Sequence, residues 1–117
     1  MGRAQDRGRA GEALAAAYLE LVGLEVLRRN ARLAGVEVDL IAREGRTRVV
    51  VEVKLRNRSD YGGAAAAVDG AKCARLRRAA RGLLAEEDGP VRVDVVAMDL
   101  VADGLALRHI RDAVTEG

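Results

Sequence analysis

An α/β layer domain with a mixed sheet is the fold class this sequence predicts, and three observations predict it. Two helical stretches are separated by extended ones, in the order α-β-β-β-α-β-β. A strictly alternating segment is joined through turn residues to an apolar one, which reads as a hairpin. No linker, composition break, internal repeat or low-complexity tract interrupts the 117 residues, so they read as one domain, 1–117.

The first helix is expected over residues 6 to 22. Asp6 is placed to cap it, Leu14, Ala17, Tyr18 and Leu21 recur as its core stripe, and Gly23 supplies the left-handed stop. Glu12 lies off that stripe, near Leu19. The segment LEVLRRNARLAG reads as a strand that breaks into a turn. VEVDLIAR, 36 to 43, alternates, which sets Glu37, Asp39 and Ile41 on one face and Val38, Leu40 and Ala42 on the other. EGRT supplies hairpin chemistry, and RVVVEVKL returns antiparallel. A Gly-flanked loop, NRSDYGG, precedes a second helix from about Asp69 to Glu87. Its core stripe is Cys73, Leu76, Ala80, Leu83 and Leu84, with Arg75, Arg78 and Arg81 opposite. VRVDVVAMDL and LALRHIRDAV complete the sheet.

Composition narrows the function classes. With 2% aromatic residues and no Phe or Trp, the core must be aliphatic, which argues against base stacking on aromatic platforms. The net charge of +2 is too balanced for wholesale coating of nucleic acid, so basic surface must come from local clusters. No apolar run approaches the roughly 20 residues that span a bilayer, so no membrane partner is expected. The opening MGRAQDRGR lacks a signal-peptide apolar stretch and a myristoylation Ser/Thr. With a single cysteine, Cys73, the expectation is a cytoplasmic protein.

The hairpin raises the functional question, because VVVEVKL places Glu52 and Lys54 where apolar residues would fit. If 44 to 47 form the loop, Arg43 faces Arg48, Asp39 faces Glu52 and Glu37 faces Lys54. With a two-residue Glu44-Gly45 loop, Glu37 faces Glu52 instead. In both registers Glu37, Asp39, Glu52 and Lys54 share one face, close enough for the carboxylates to converge. Converging carboxylates repel unless a cation intervenes, and Mg²⁺ suits one or two carboxylates plus waters and phosphate oxygens. Lys54 could then position or deprotonate a water, or neutralise charge on a phosphate. The bland alternative is a solvated face with cross-strand ion pairs. Against it stands the residue choice: the chain has 18 Arg and only two Lys, Lys54 and Lys72.

These residues also carry a resemblance. GRAGEALAAAYLELVGLEVLRRN, EVDLIA, VVVEVKLR, VDGAKCARLRRAA, RVDVVAMD and LRHIRDAV follow the order and spacing of the YraN-like proteins. That family is similar to archaeal Holliday junction resolvases within the PD-(D/E)xK nuclease superfamily. The resemblance covers nearly the whole chain. It implies a restriction-endonuclease-like core, a mixed sheet flanked by helices, that uses Mg²⁺ or Mn²⁺ to hydrolyse DNA phosphodiesters. On it, Asp39 and Glu52 are the metal carboxylates, the Val53 main-chain carbonyl is a further metal ligand, Lys54 is the signature lysine, and Glu12 and Glu37 complete the acidic cluster. On sequence grounds alone Glu12 merely solvates its helix. Two departures stand out: Val36 where the family usually has Gly, and Leu55 where it usually has Thr.

A nuclease hairpin would make the basic helix a phosphate track, with Arg75, Arg78 and Arg81 joined by Arg56, Arg58 and Lys72. Arg28 and Arg29 adjoin the block matching the family's RN and are assigned the same role. The implied partner is double-stranded or branched DNA. A homodimer is also implied, because a four-way junction presents two symmetric scission points; the residues themselves do not specify one. The rival reading is a non-catalytic nucleic-acid-binding or scaffold protein, and a third has the basic helix bind a protein partner. Asp94, interrupting an apolar strand, is expected to pair with Arg92. His109 stands without ligand-spaced neighbours, which argues against zinc. GGAAAAVDGAK lacks the P-loop spacing, and no Ser-His-Asp arrangement forms around the only His.

Overall fold

The computed structural model describes residues 3–57 and 70–114. Its elements are α1 (Arg3–Leu21), β1 (Glu25–Leu33), β2 (Val36–Glu44), β3 (Thr47–Asn57), α2 (Gly70–Glu86), β4 (Val91–Val101) and β5 (Gly104–Ile110). The order is the one expected. Asp69, Arg58 and most of the loop read at NRSDYGG lie outside the described residues. No described helix is long and apolar enough to cross a membrane.

One sheet runs β1-β2-β3-β4-β5, antiparallel except for β3 beside β4, which α2 joins as a crossover. The helices cover opposite faces. Ala15, Ala16 and Leu19 of α1 pack on Leu40, Ala42, Val49, Val51, Val96 and Met98. Leu76, Ala79 and Leu83 of α2 pack on Val38, Ile41, Val50 and Val93. A mixed five-stranded sheet between two helices in this order is consistent with a restriction-endonuclease-like core.

The β2–β3 turn is two residues long, with Glu44 opposite Thr47 and Gly45 at φ +60°. Gly at the first central position is the type II′ preference, whose backbone twist matches that of the strands. Arg43 therefore faces Arg48, the first of the two registers considered. Arg48 is buried and turns toward α2, where its guanidinium donates to the carbonyls of Leu83 (3.0 Å) and Glu87. These are carbonyls that a helix C-terminus leaves without partners, and a cation there also meets the negative end of the helix dipole. At Gly82 the helix runs so close to the β1–β2 turn that a Cβ on this residue would lie 3.1 Å from the Ala34 nitrogen. A side chain there would force the turn aside.

Three expectations need correction. The α1 stripe is out of phase: Ala15, Ala16 and Leu19 are buried, whereas Leu14 is 44% and Leu21 86% exposed. The helix is apolar on two faces, so periodicity alone cannot choose between them. Gly11 and the alanines let it sit close to the sheet, with the Gly11 Cα face against Leu55 and Met98. In α2, Ala79 takes the core position expected of Leu84, which is exposed. Finally, β2 does not alternate strictly. Val36 and Val38 pack with α2, yet Leu40 and Ala42 pack with α1 and Ile41 with α2, so the side-chain parity reverses at Asp39.

Replacing Arg48 with Met keeps the apolar stem and removes the donors. Urea denaturation should then show a loss of about 1–3 kcal/mol, the cost of leaving buried carbonyls unpaired.

Candidate functional site

The parity reversal is where the site forms. Pairing between β2 and β3 runs from the turn up to Leu40 opposite Val51 and is not continued beyond. The same register would have put Val38 opposite Val53 and Asp39 opposite Glu52. Instead the Val53 N–H donates to the Asp39 carboxylate, at 2.8 Å to Oδ2. The side chain thus satisfies a strand donor that the ladder abandons. Within a strand, a residue's N–H and C=O point to the same side, so the Val53 carbonyl turns toward the same gap.

On β3, odd-numbered residues Val49, Val51, Val53 and Leu55 pack on the α1 side, while even-numbered Val50 packs on the α2 side. Glu52 and Lys54 follow Val50 and meet the first turn of α2. Lys54 Nζ and Lys72 Nζ each lie 3.1 Å from Glu52 Oε2. Burial alone would raise the Glu52 pKa, but hydrogen bonds and charge from the two lysines hold it below the ordinary value. Lys54 is lowered, first by burial and then by Lys72, with Glu52 opposing. Burial works against Lys72 as well, but its contacts with Lys54 and Glu52 raise it.

Asp39 is pushed up to about 7. Burial is the main cause, Glu52 and more weakly Glu12 add to it, and the Val53 N–H counteracts it. Two carboxylates in a desolvated gap share a proton because both cannot ionise cheaply. Asp39, Glu52 and the Val53 carbonyl form an oxygen donor set that a hard divalent cation could occupy in the proton's place. Among the described residues, no three His, Cys, Asp or Glu side chains are close enough to enclose a metal ion.

Glu12 shares the inner face of α1 with Ala15, Ala16 and Leu19, half-buried, and its charge reaches Asp39. Glu37 is not brought to the pair. Val36 and Val38 face α2, so Glu37 between them faces the other way; it is exposed and opposite Arg32 of β1. The expectation of a common face fails because it assumed unbroken alternation. Arg56, Arg75, Arg78 and Arg81 are exposed, the last three along the helix that presents Lys72. Arg29 is exposed on β1, and Arg28 pairs with Glu86 at 2.8 Å.

Sequence reasoning placed Lys72 on a phosphate track and did not join it to Glu52. It also left His109 alone. The His109 ring in fact bridges Asp94 Oδ2 (2.8 Å, from Nε2) and the Tyr18 hydroxyl (3.0 Å, at Nδ1). Asp94, fully buried, also takes the expected Arg92 pair at 2.9 and 3.1 Å and the Asp112 N–H at 2.9 Å. Burial would raise its pKa, but these partners lower it. The cluster ties α1 to β4 and β5 and so fixes the helix that carries Glu12.

Asp39 sets a pH dependence. Its carboxyl titrates near 3.8 without the fold and about 7 within it. Between those values the folded chain holds a proton that the unfolded chain has released, so stability falls as pH rises through that window. The Glu52 shift has the opposite sign and acts below 4.5. In metal-free buffer, Asp39→Asn should match wild type in Tm near pH 4 and exceed it by several degrees at pH 8. A difference that stays flat with pH would contradict the raised Asp39.

Residues 11–98 match the model of a family described as "Uncharacterised protein family UPF0102". A UPF0102 protein of Halorhodospira halophila is 46% identical over 112 residues, covering 96% of this chain and 89% of its own. One of Beutenbergia cavernae is 46% identical over 114 residues, covering 93% and 97%. One of Deinococcus radiodurans is 43% identical over 107 residues, with 87% of each covered. The match spans the helix of Glu12, the hairpin and the Lys72 helix, and the chain belongs to the uncharacterised UPF0102 family.

Proposed function

We propose that this chain is a metal-dependent nuclease of the PD-(D/E)xK type, hydrolysing phosphodiester bonds in double-stranded or branched DNA. The observation that carries this reading is the pairing of Asp39 and Glu52 where β2 and β3 part, with two lysines against one of them. Asp39, Glu52 and the Val53 carbonyl would hold Mg²⁺ or Mn²⁺. When bound, such an ion supplies a Lewis acid for a phosphoryl oxygen and a more acidic water.

The protein's own residues account for the rest. Asp39 is held in place by the Val53 N–H, so its carboxyl group is oriented before any ligand arrives. Lys54, an ammonium set against Glu52, can orient an attacking water or neutralise a phosphate oxygen. Lys72 keeps its charge and can neutralise the phosphate as negative charge builds. Glu12 adds negative potential on the α1 side. Arg75, Arg78 and Arg81 continue from Lys72 along α2 as contacts for the flanking phosphates, with Arg56 beside them and Arg28 and Arg29 on β1. Arg58 belongs to the same set by sequence.

One observation favours the rival reading, a nucleic-acid-binding protein without turnover. Glu52 is already neutralised by its two lysines, and among the described residues only two carboxylates meet. The experiment that separates the readings is cleavage of duplex, flap and four-way-junction DNA with Mg²⁺ or Mn²⁺. Asp39→Ala, Glu52→Ala and Lys54→Ala should each lower the rate by about 10² or more, the scale of losing a transition-state contact. Cleavage that survives both Asp39→Ala and Lys54→Ala would sink the nuclease reading. Binding without cleavage, weakening with salt in proportion to the phosphates neutralised, would establish the rival.

A further inference from the structure

Helix α1 carries an apolar face on which no described residue packs. Its inner stripe, Ala15, Ala16 and Leu19, lies on the sheet. At roughly 100° per residue, Ala10, Ala13, Leu14, Ala17 and Leu21 are centred on the opposite side, and all five are exposed. A single exposed leucine is ordinary. Here the spacing is that of a helix–helix seam: Ala10, Leu14, Ala17 and Leu21 recur at steps of four, three and four, so that alanine and leucine each repeat after seven residues.

The seam's composition selects its occupant. Leucine stands at one repeating position, Leu14 and Leu21, and alanine at the other, Ala10 and Ala17. A second copy running antiparallel sets Leu14 against Ala17 and Leu21 against Ala10, so every large residue meets a small one. A parallel copy would stack leucine on leucine and leave voids at the alanines. Charge agrees with the antiparallel choice. Arg9 and Glu20, both exposed, lie on the same flank of the seam at opposite ends. A two-fold axis across the seam brings Arg9 of each copy to Glu20 of the other, whereas the axis of a parallel pair puts the two flanks on opposite sides and joins neither pair.

We propose that the outer face of α1 is a homodimer contact, in which two copies pack their first helices antiparallel through Leu14, Leu21 and the intervening alanines, flanked by reciprocal Arg9–Glu20 pairs. The contact rests on α1 alone and stands whether or not the chain cleaves DNA. The seam covers only about 17 Å of helix, less than a standard-sized interface, so the dimer is weak, with a dissociation constant in the micromolar range.

Sedimentation velocity of the full chain from about 5 to 500 μM tests it, a range that brackets a micromolar constant. Wild type should shift from monomer to dimer. Leu21→Glu, at a largely exposed position, should remain folded by circular dichroism and stay monomeric throughout. Arg9→Glu and Glu20→Arg should each weaken association, and the double variant carrying both should recover it. A wild type that is monomeric at every concentration overturns the proposal. So does a dimer that Leu21→Glu leaves intact, or a double variant no better than the single ones.

Discussion

The hydrogen bond from the Val53 N–H to the Asp39 carboxylate is the contact on which the candidate site depends. An antiparallel ladder tends to close along its length, because every unpaired N–H in the interior has a cost. β2 escapes this by reversing its parity at Asp39, opposite Asn30 of β1, whose φ of +50° marks the same irregularity. Asparagine tolerates that left-handed backbone better than most residues. The result is a gap between two strands that remain hydrogen-bonded elsewhere, with the donor that would have been orphaned answered by a carboxylate. One substitution-sensitive bond thus opens the sheet, fixes Asp39 and exposes the Val53 carbonyl edge.

An acidic gap must be balanced, and the balance comes from across the crossover. Lys54 follows Glu52 on the same strand face, but Lys72 arrives from the first turn of α2, which the parallel β3–α2–β4 connection sets over the α2 side of the sheet. The helix is held there at its other end by Arg48, which caps its last carbonyls, and by the close approach at Gly82. On the opposite face, Tyr18, His109 and Asp94 hold α1, and with it Glu12. Both helices are therefore anchored at points away from the acids, so substitutions at the acids need not disturb the fold.

Much of this was legible in the chain. Element order and the mixed sheet follow from turn residues and alternation, which are local signals; of the two registers those signals allow, the structure takes the one with Arg43 opposite Arg48. The Arg92–Asp94 pair was legible for the same reason, since residues two apart on a strand share a face. What was not legible depends on contacts distant in sequence. The α1 phase could not be read because Leu14 and Leu21 offer as good a stripe as Leu19 with its alanines; only the shape of the sheet beneath decides. His109 gave no hint of Asp94 and Tyr18, which lie 15 and 91 residues away. Glu37 was misassigned because a parity reversal leaves no mark in a hydrophobic pattern.

The sequence suggests Lys72 as a phosphate contact but gives no sign of its pairing with Glu52, and the reason it is a lysine bears on that pairing. The chain writes 18 of its 20 Lys and Arg residues as Arg, yet both lysines meet at Glu52. An arginine at either place would fork both carboxylate oxygens in a planar, bidentate pair and hold Glu52 fast. The ammonium groups instead meet Glu52 as single-point contacts, each 3.1 Å from Oε2. On the nuclease reading proposed above, a point charge on a flexible stem keeps the acid neutralised in the resting protein and swings to a phosphate when one enters. Arginines serve at Arg48 and Arg92, where a permanent, directional clamp is wanted. The division of labour between the two cations is the same physical distinction that separates a contact meant to hold from one meant to let go.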